Sequence, residues 1–204
     1  MKSKEAYDAV QAEVDSVVKG RTSENESFFT LDELDRMPVL NSAFTEALRL
    51  SHGAFSLRQV LEDVPLPVKV PNGESCSYFL ENGSNVMMLM SIMHQDPTIF
   101  PNPLLFDYKR FIPDPVTGEQ ASFKRHGKII DPLRFFGGGS HMCPGRKFIV
   151  YEAKAFIASL LYQYELKLPN DELQGTVGID KTYQGLGVNK PERDVDVLIG
   201  KRLM

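Results

Sequence analysis

Apolar residues at Tyr7, Val10, Val14 and Val17 recur at the three- and four-residue spacing of one helix face, with Glu5, Asp8, Gln11 and Asp15 between them. The spacing predicts a first amphipathic helix that stops at Gly20, followed by a polar loop over 21–27. Thr30 and Glu33 stand at the spacing of a capping box, which satisfies two free amides and predicts a short helix behind them. Pro38 opens the next helix, because a missing N–H costs nothing in a first turn. Leu40, Ala43, Phe44, Ala47 and Leu48 form its apolar face, and it ends near Leu50.

Strand patterns follow. Val68 to Val70 and Ser75 to Leu80 flank Pro71-Asn72-Gly73-Glu74, and Asn-Gly is the preferred pair of a tight hairpin. A second Asn-Gly, Asn82-Gly83, precedes the apolar run Val86 to Met90, so one small sheet of three strands is expected. Five of the thirteen prolines lie between Asp96 and Pro115, which makes that stretch turns and extended chain. Past Gly145, the residues Phe148, Ile149, Ala153, Phe156, Ile157, Leu160, Leu161 and Tyr164 predict a helix apolar around most of its circumference. Such a helix is expected to be buried on most sides. The alternation Val195-Asp196-Val197 predicts a last short strand.

Composition narrows the classes. A chain of 204 residues makes one domain or most of one. Its 42% hydrophobic and 25% charged residues are ordinary for a globular chain and exclude disorder and collagen-like architecture. The 23 Lys+Arg against 27 Asp+Glu give a net charge of −4, which excludes a charge-driven nucleic-acid binder. Cys76 and Cys143 lie too far apart for a CxxC zinc site, and two cysteines make no disulfide framework. The start MKSKEAYDAV has no apolar leader, and no run of ~18 apolar residues occurs, so neither signal peptide nor membrane span is expected within this chain.

The chemistry concentrates in Phe136-Gly-Gly-Gly-Ser-His-Met-Cys143-Pro-Gly145. Glycines let a loop take positive φ and let its backbone approach a large flat ligand. Pro144 and Gly145 feed a helix, so Cys143 stands at a helix N-terminus, where free amides and the dipole favour an anionic sulfur. A thiolate held in this way is suited to be the axial ligand of haem iron. Taken alone, a lone cysteine such as Cys143 reads more readily as a small buried hydrophobe, and the glycines as an ordinary turn.

The full spacing Phe136, Gly139, His141, Cys143, Gly145 resembles the haem-binding loop of the cytochrome P450 family. Glu46-Ala-Leu-Arg49 resembles the family's Glu-x-x-Arg pair. Phe106-Asp-Tyr-Lys-Arg110-Phe111 resembles its aromatic–Arg–Phe segment, with Tyr108-Lys109 where Pro-Glu is common. The order and spacing of the three segments agree, so the resemblance covers essentially the whole chain. It implies a mainly α fold with small β-sheets, the C-terminal fragment of the family's fold, with 1–204 forming the C-terminal portion of a single domain. The N-terminal anchor, the substrate-lining helices and the oxygen-activating helix are absent from this sequence on that reading.

The resemblance also implies roles. Cys143 becomes the proximal ligand of the haem iron, in a loop with Phe136, Gly139 and Gly145. His141 and Arg58 become anchors for the haem propionates; apart from the resemblance, His141 reads as a loop histidine and Arg58 as a solvated arginine. Glu46, Arg49 and Arg110 become one buried network. On a helical wheel, however, Glu46 and Arg49 fall off the apolar face, and such an i,i+3 pair is ordinarily a solvated one worth ~0.2–0.5 kcal/mol. His52, His94 and His126 show no partner pattern, and Cys76 is expected to be a packing residue on its strand.

His126-Gly127-Lys128 and Gly185-Leu-Gly-Val188…Pro191…Asp194 resemble the branch holding sterol 7α- and 12α-hydroxylases and prostacyclin synthase. The implied activity is a haem-thiolate monooxygenase acting on a lipophilic, sterol-like substrate, supplied with electrons by an NADPH-dependent reductase at the endoplasmic reticulum membrane. Membrane contact would come through the missing N-terminal part. The alternatives are a haem-thiolate isomerase of the prostacyclin synthase type and a non-catalytic truncated haem-binding fragment.

Overall fold

The computed structural model describes residues 3–19, 21, 28–69, 74–125, 128–169, 178–180, 182 and 187–202. Ser3 accepts from the Ala6 amide at 3.1 Å and opens α1 (Lys4–Val18), which turns Val10, Val14 and Val17 into the core. The expected capping box forms at Thr30 and Glu33 and starts α2 (Leu31–Asp35). Pro38 stands in the first turn of α3 (Pro38–Ser51), whose own Met37 cap supplies no side-chain hydrogen bond. The cap comes instead from α1: the Glu13 carboxylate accepts from the Val39 and Leu40 amides at 2.9 and 2.8 Å. A carboxylate at the positive end of the helix dipole is favourable, and this one fixes α3 against α1.

Among the described residues the strands pair in four separate two-stranded antiparallel ladders, not in one sheet of three. β1 (Phe55–Gln59) pairs with β4 (Asn85–Leu89), while β2 (Val64–Lys69) pairs with β3 (Ser75–Leu80). Gly83, at φ +85°, does turn the chain after β3. The Gly83 amide bonds to the Val60 carbonyl at 2.8 Å, however, so the turn hands β4 to β1. β2 starts four residues before the expected Val68. A two-stranded ladder leaves every second amide facing outward, and Pro65 and Pro67 fall on the same alternate set, where no N–H is needed. Cys76 lies exposed on β3, not packed, and both cysteines are free.

Met90 does not end β4 but opens the short helix α4 (Met90–His94). The hairpin of β5 (Phe123–Arg125) and β6 (Lys128–Ile130) is absent from the sequence reading. Its Phe123 joins a small second core, with ring centroids 4.9 Å from Phe100 and 5.6 Å from Phe111. The expected helix stop at Gly20, the loop over 22–27, the Asn72-Gly73 turn and the segments His126-Gly127 and Gly185-Leu186 lie outside the described residues.

α5 (Arg146–Gln163) packs against α1, α2 and α3 and completes the main core with Ala158 and Leu161. It ends one residue before Tyr164, which begins β7 (Tyr164–Lys167). The expectation that α5 is buried on most sides is wrong. Only Lys154, Ala158 and Leu161 are buried, whereas Phe148 and Phe156 are 70% and 68% exposed. The other helices cover one side of it and leave the rest of its apolar surface open. The last strand, β8 (Leu198–Lys201), lies three residues beyond the expected Val195–Val197. Its register is set by β7 and by Arg202, which grips Asp15 on α1 at 2.7 and 2.9 Å. The architecture is mainly helical with small sheets, as the sequence implies. An apolar cavity of about 660 Å³ opens between α1, α3 and α5.

Candidate functional site

Glu46 and Arg49 stand one turn apart on α3, and neither side chain is reached by solvent. Arg49 donates Nε and Nη2 to the two Glu46 oxygens at 2.7 and 2.8 Å. Its Nη1 donates to the carbonyls of His94 and Pro103 at 2.6 and 2.8 Å. Arg110 arrives from the proline-rich segment and donates Nε to Glu46 Oε1 at 3.2 Å, with Nη1 on the Pro101 carbonyl at 2.9 Å. The Asp107 amide completes the set on Glu46 at 3.1 Å. The helical wheel, which leaves this pair in solvent, is corrected here: the side of α3 opposite its apolar stripe is covered by the segment 94–110. Burial without compensation would be costly, and the polar atoms are met instead by bidentate pairing and backbone carbonyls. The Arg49 guanidinium also lies 5.0 Å from the Phe100 ring centroid.

The glycine loop lies between β6 and α5. The Cys143 amide donates to the Phe136 carbonyl at 2.9 Å and closes the loop at its base. Gly137 and Gly139 take φ of +78° and +69°, in the region closed to most side chains. Residues 139–141 make a single 3₁₀ turn. Gly145 caps α5 with no side-chain hydrogen bond, so no side chain competes for the first amides of that helix. Cys143 itself is exposed.

Arg58 on β1 reaches the loop, with Nη2 at 3.4 Å from the Gly138 carbonyl. His141 is exposed, and its Nδ1 lies 3.1 Å from the Ser140 hydroxyl. The structure thus brings Arg58, His141 and Cys143 to one loop and gathers Glu46, Arg49 and Arg110 into a separate buried cluster. Residues that the sequence left without a role stand between the two. His52, at the end of α3, and His94, at the end of α4, are buried with ring centroids 5.1 Å apart. Phe135, immediately before the loop, packs 5.1 Å from His94 and 5.8 Å from His52. In the sequence His94 shows no partner pattern and simply follows the apolar run Val86 to Met90.

The residues present fit a haem. An exposed thiol stands at an uncapped helix N-terminus, and a Cβ built at Gly139 meets nothing within 4 Å, so the loop surface is open to a flat ligand. A guanidinium and an imidazole lie along the same loop, where carboxylates of the ligand need donors. Among the described residues no cluster of three or more His, Cys, Asp or Glu could hold a bare metal ion. No described helix is long and apolar enough to cross a membrane.

The chain is similar to known proteins in sequence and in fold. The chain is 30% identical over 202 residues to cholesterol 7-alpha-monooxygenase of Cricetulus griseus, covering 96% of this chain and 39% of that protein. It is 34% identical over 165 residues to cytochrome P450 7A1 of Sus scrofa, covering 80% of this chain and 32% of the relative. Prostacyclin synthase of Bos taurus is 31% identical over 201 residues, covering 97% of this chain and 39% of the relative. The chain therefore spans about two fifths or less of the length of these relatives. The fold is shared with the solved structure of retinoic acid bound cyanobacterial CYP120A1, at a TM-score of 0.69 and 23% identity, over 96% of this chain and 39% of that one. A family model for cytochrome P450 matches residues 1–195, from α1 through the glycine loop and beyond α5. With its loop cysteine, its buried Glu46–Arg49–Arg110 cluster and this match, the chain belongs to the cytochrome P450 family, whose cofactor is a haem held by a cysteine thiolate.

Proposed function

We propose that this chain is the C-terminal, haem-holding portion of a single domain in a longer monooxygenase, which inserts one atom of O₂ into a lipophilic, sterol-like substrate. The observation that carries the reading is Cys143, exposed at the uncapped N-terminus of an 18-residue helix in a loop closed by the Phe136 carbonyl. The sterol-like substrate is supported by the relative named cholesterol 7-alpha-monooxygenase.

Haem bound at this loop supplies redox-active iron for oxygen activation. Cys143 holds it through sulfur, with Phe136, Gly139 and Gly145 shaping the loop, and the first amides of α5 balance the negative charge. Arg58 and His141 would donate to the propionates. Glu46, Arg49 and Arg110 keep the segment 94–110 fixed behind the loop. An NADPH-dependent reductase is the proposed electron donor, and the endoplasmic reticulum membrane the proposed location, reached through sequence outside this chain.

A second reading rests on the match to prostacyclin synthase, whose similarity to this chain is as high. It makes the protein a haem-thiolate isomerase, which needs no external electrons. Product formation by the haem-loaded protein with and without NADPH, reductase and O₂ separates the two. Strict dependence on all three supports the monooxygenase, and turnover of an endoperoxide without them supports the isomerase.

A further inference from the structure

The buried ion network on α3 and the cysteine loop before α5 are two separate clusters. They are joined at one residue. His94 has no solvent-exposed surface. Its backbone carbonyl receives the Arg49 guanidinium at 2.6 Å. Its ring Nε2 accepts from the Arg134 amide at 3.4 Å, and its ring face meets Phe135 at 5.1 Å between centroids. Arg134 and Phe135 lead directly into Phe136, whose carbonyl closes the loop on Cys143, and the Gly137 amide turns back on the Arg134 carbonyl at 3.2 Å.

We propose that His94 is a positioning residue for the cysteine loop: it ties the backbone entering the loop to the Glu46–Arg49 network, with His52 packed edge-on as its support. The inference rests on the reading of Cys143 as the haem ligand, since that is what gives the loop's position its function. The ring must stay neutral to accept from Arg134, and its surroundings keep it so. Burial pushes its pKa down to about 4, assisted by neighbouring His52 and the Arg49 charge, against an opposing pull from the Pro132 backbone. His52 is likewise held below its ordinary value by burial. On the α3 side the Arg49 charge is committed to Glu46, and on the loop side the Arg134 side chain pairs with Asp131 at 2.9 Å. The neutral ring therefore offers Nε2 to the Arg134 amide and carries its proton on the buried Nδ1.

Amide hydrogen exchange on the haem-free chain tests this directly. His94→Phe keeps an aromatic ring and loses the acceptor. It is expected to speed exchange at Gly137, Met142 and Cys143 at least tenfold more than at Val10 and Val14 in α1, which report global opening. His94→Gln, which restores an acceptor, is expected to bring the loop amides back to within about threefold of the unsubstituted chain. Val14→Ala, a core change in α1, serves as control and is expected to show no selective effect on the loop. Should His94→Phe not fold, Phe135→Leu removes the ring contact from the loop side and is expected to give the same selective pattern. Uniform acceleration throughout the chain, or loop amides that do not respond, would overturn the proposal. Failure of the haem reading would show separately, as a haem-loaded protein whose spectrum does not depend on Cys143.

Discussion

Arg49 and Glu46 meet in a two-pronged ion pair at 2.7 and 2.8 Å, one helical turn apart and wholly out of solvent. Arg110 shares the same carboxylate from a segment more than sixty residues away in sequence, at 3.2 Å. The pair therefore joins α3 to the proline-rich segment and not merely one turn of helix to the next.

Removing one partner leaves the others charged and buried. Glu46→Ala and Arg49→Ala are each expected to destabilise the fold by ~3–5 kcal/mol. The double replacement should cost well below the sum of the two, because both changes remove the same contact. Arg110, with its side chain 8% exposed, should cost less than Arg49. Chemical denaturation of the three single variants and the double checks this. Strict additivity with small effects, each below ~0.5 kcal/mol, would mean that the pair behaves as a surface one.

The two glycines that differ in backbone conformation should differ in tolerance. Gly139, at φ +69°, has open space around its Cβ position, so Gly139→Ala is a conformational change alone. It is expected to cost ~1–2 kcal/mol. Gly138 is extended, at φ −164°, and a Cβ there meets only the Arg134 side chain at 3.9 Å, an ordinary contact. Gly138→Ala should fall within ~0.5 kcal/mol of the unsubstituted chain. Denaturation midpoints of the two variants give the comparison.

The helices were legible because their signals are local. The face of Val10, Val14 and Val17, the Thr30–Glu33 box and Pro38 each act within a few residues, and α1, α2 and α3 begin where they indicate. Pairing was not legible, since nothing at Val86 tells that its partner is Arg58 and not a residue of β3. The exposed flank of α5 escaped for the same reason: Phe148 and Phe156 look like core residues until their neighbours are known. The ion network was readable only through the family resemblance. His52 and His94 carry no sequence pattern at all, because their cluster is assembled by three segments distant in the chain.

Stability should fall between pH 6.5 and 4, partly through His94. Its folded pKa is pushed down to about 4, from 6.5 in the unfolded chain, so the folded state holds the neutral ring. The contribution is complete above 6.5, where neither state binds the proton. It is lost as the pH falls toward 4, where the unfolded chain takes up the proton first, and the loss totals roughly 3 kcal/mol. His94→Gln should flatten this part of the profile, while the carboxylates held low by Arg21 and Arg202, Glu33 and Asp15, act alike in both proteins. Urea denaturation of the two proteins at pH 7, 6, 5 and 4.5 measures the difference. Parallel profiles would show that His94 does not titrate differently on folding.

The haem reading stands on Cys143 as the source of the thiolate. The measurement is the absorption spectrum of the ferrous carbonyl complex in the haem-loaded protein, for the unsubstituted chain, Cys143→Ser and Cys76→Ser. A thiolate ligand gives a red-shifted band. The band is expected in the unsubstituted protein and in Cys76→Ser, and is expected to be absent in Cys143→Ser. A band that survives Cys143→Ser, or that disappears in Cys76→Ser, would contradict it.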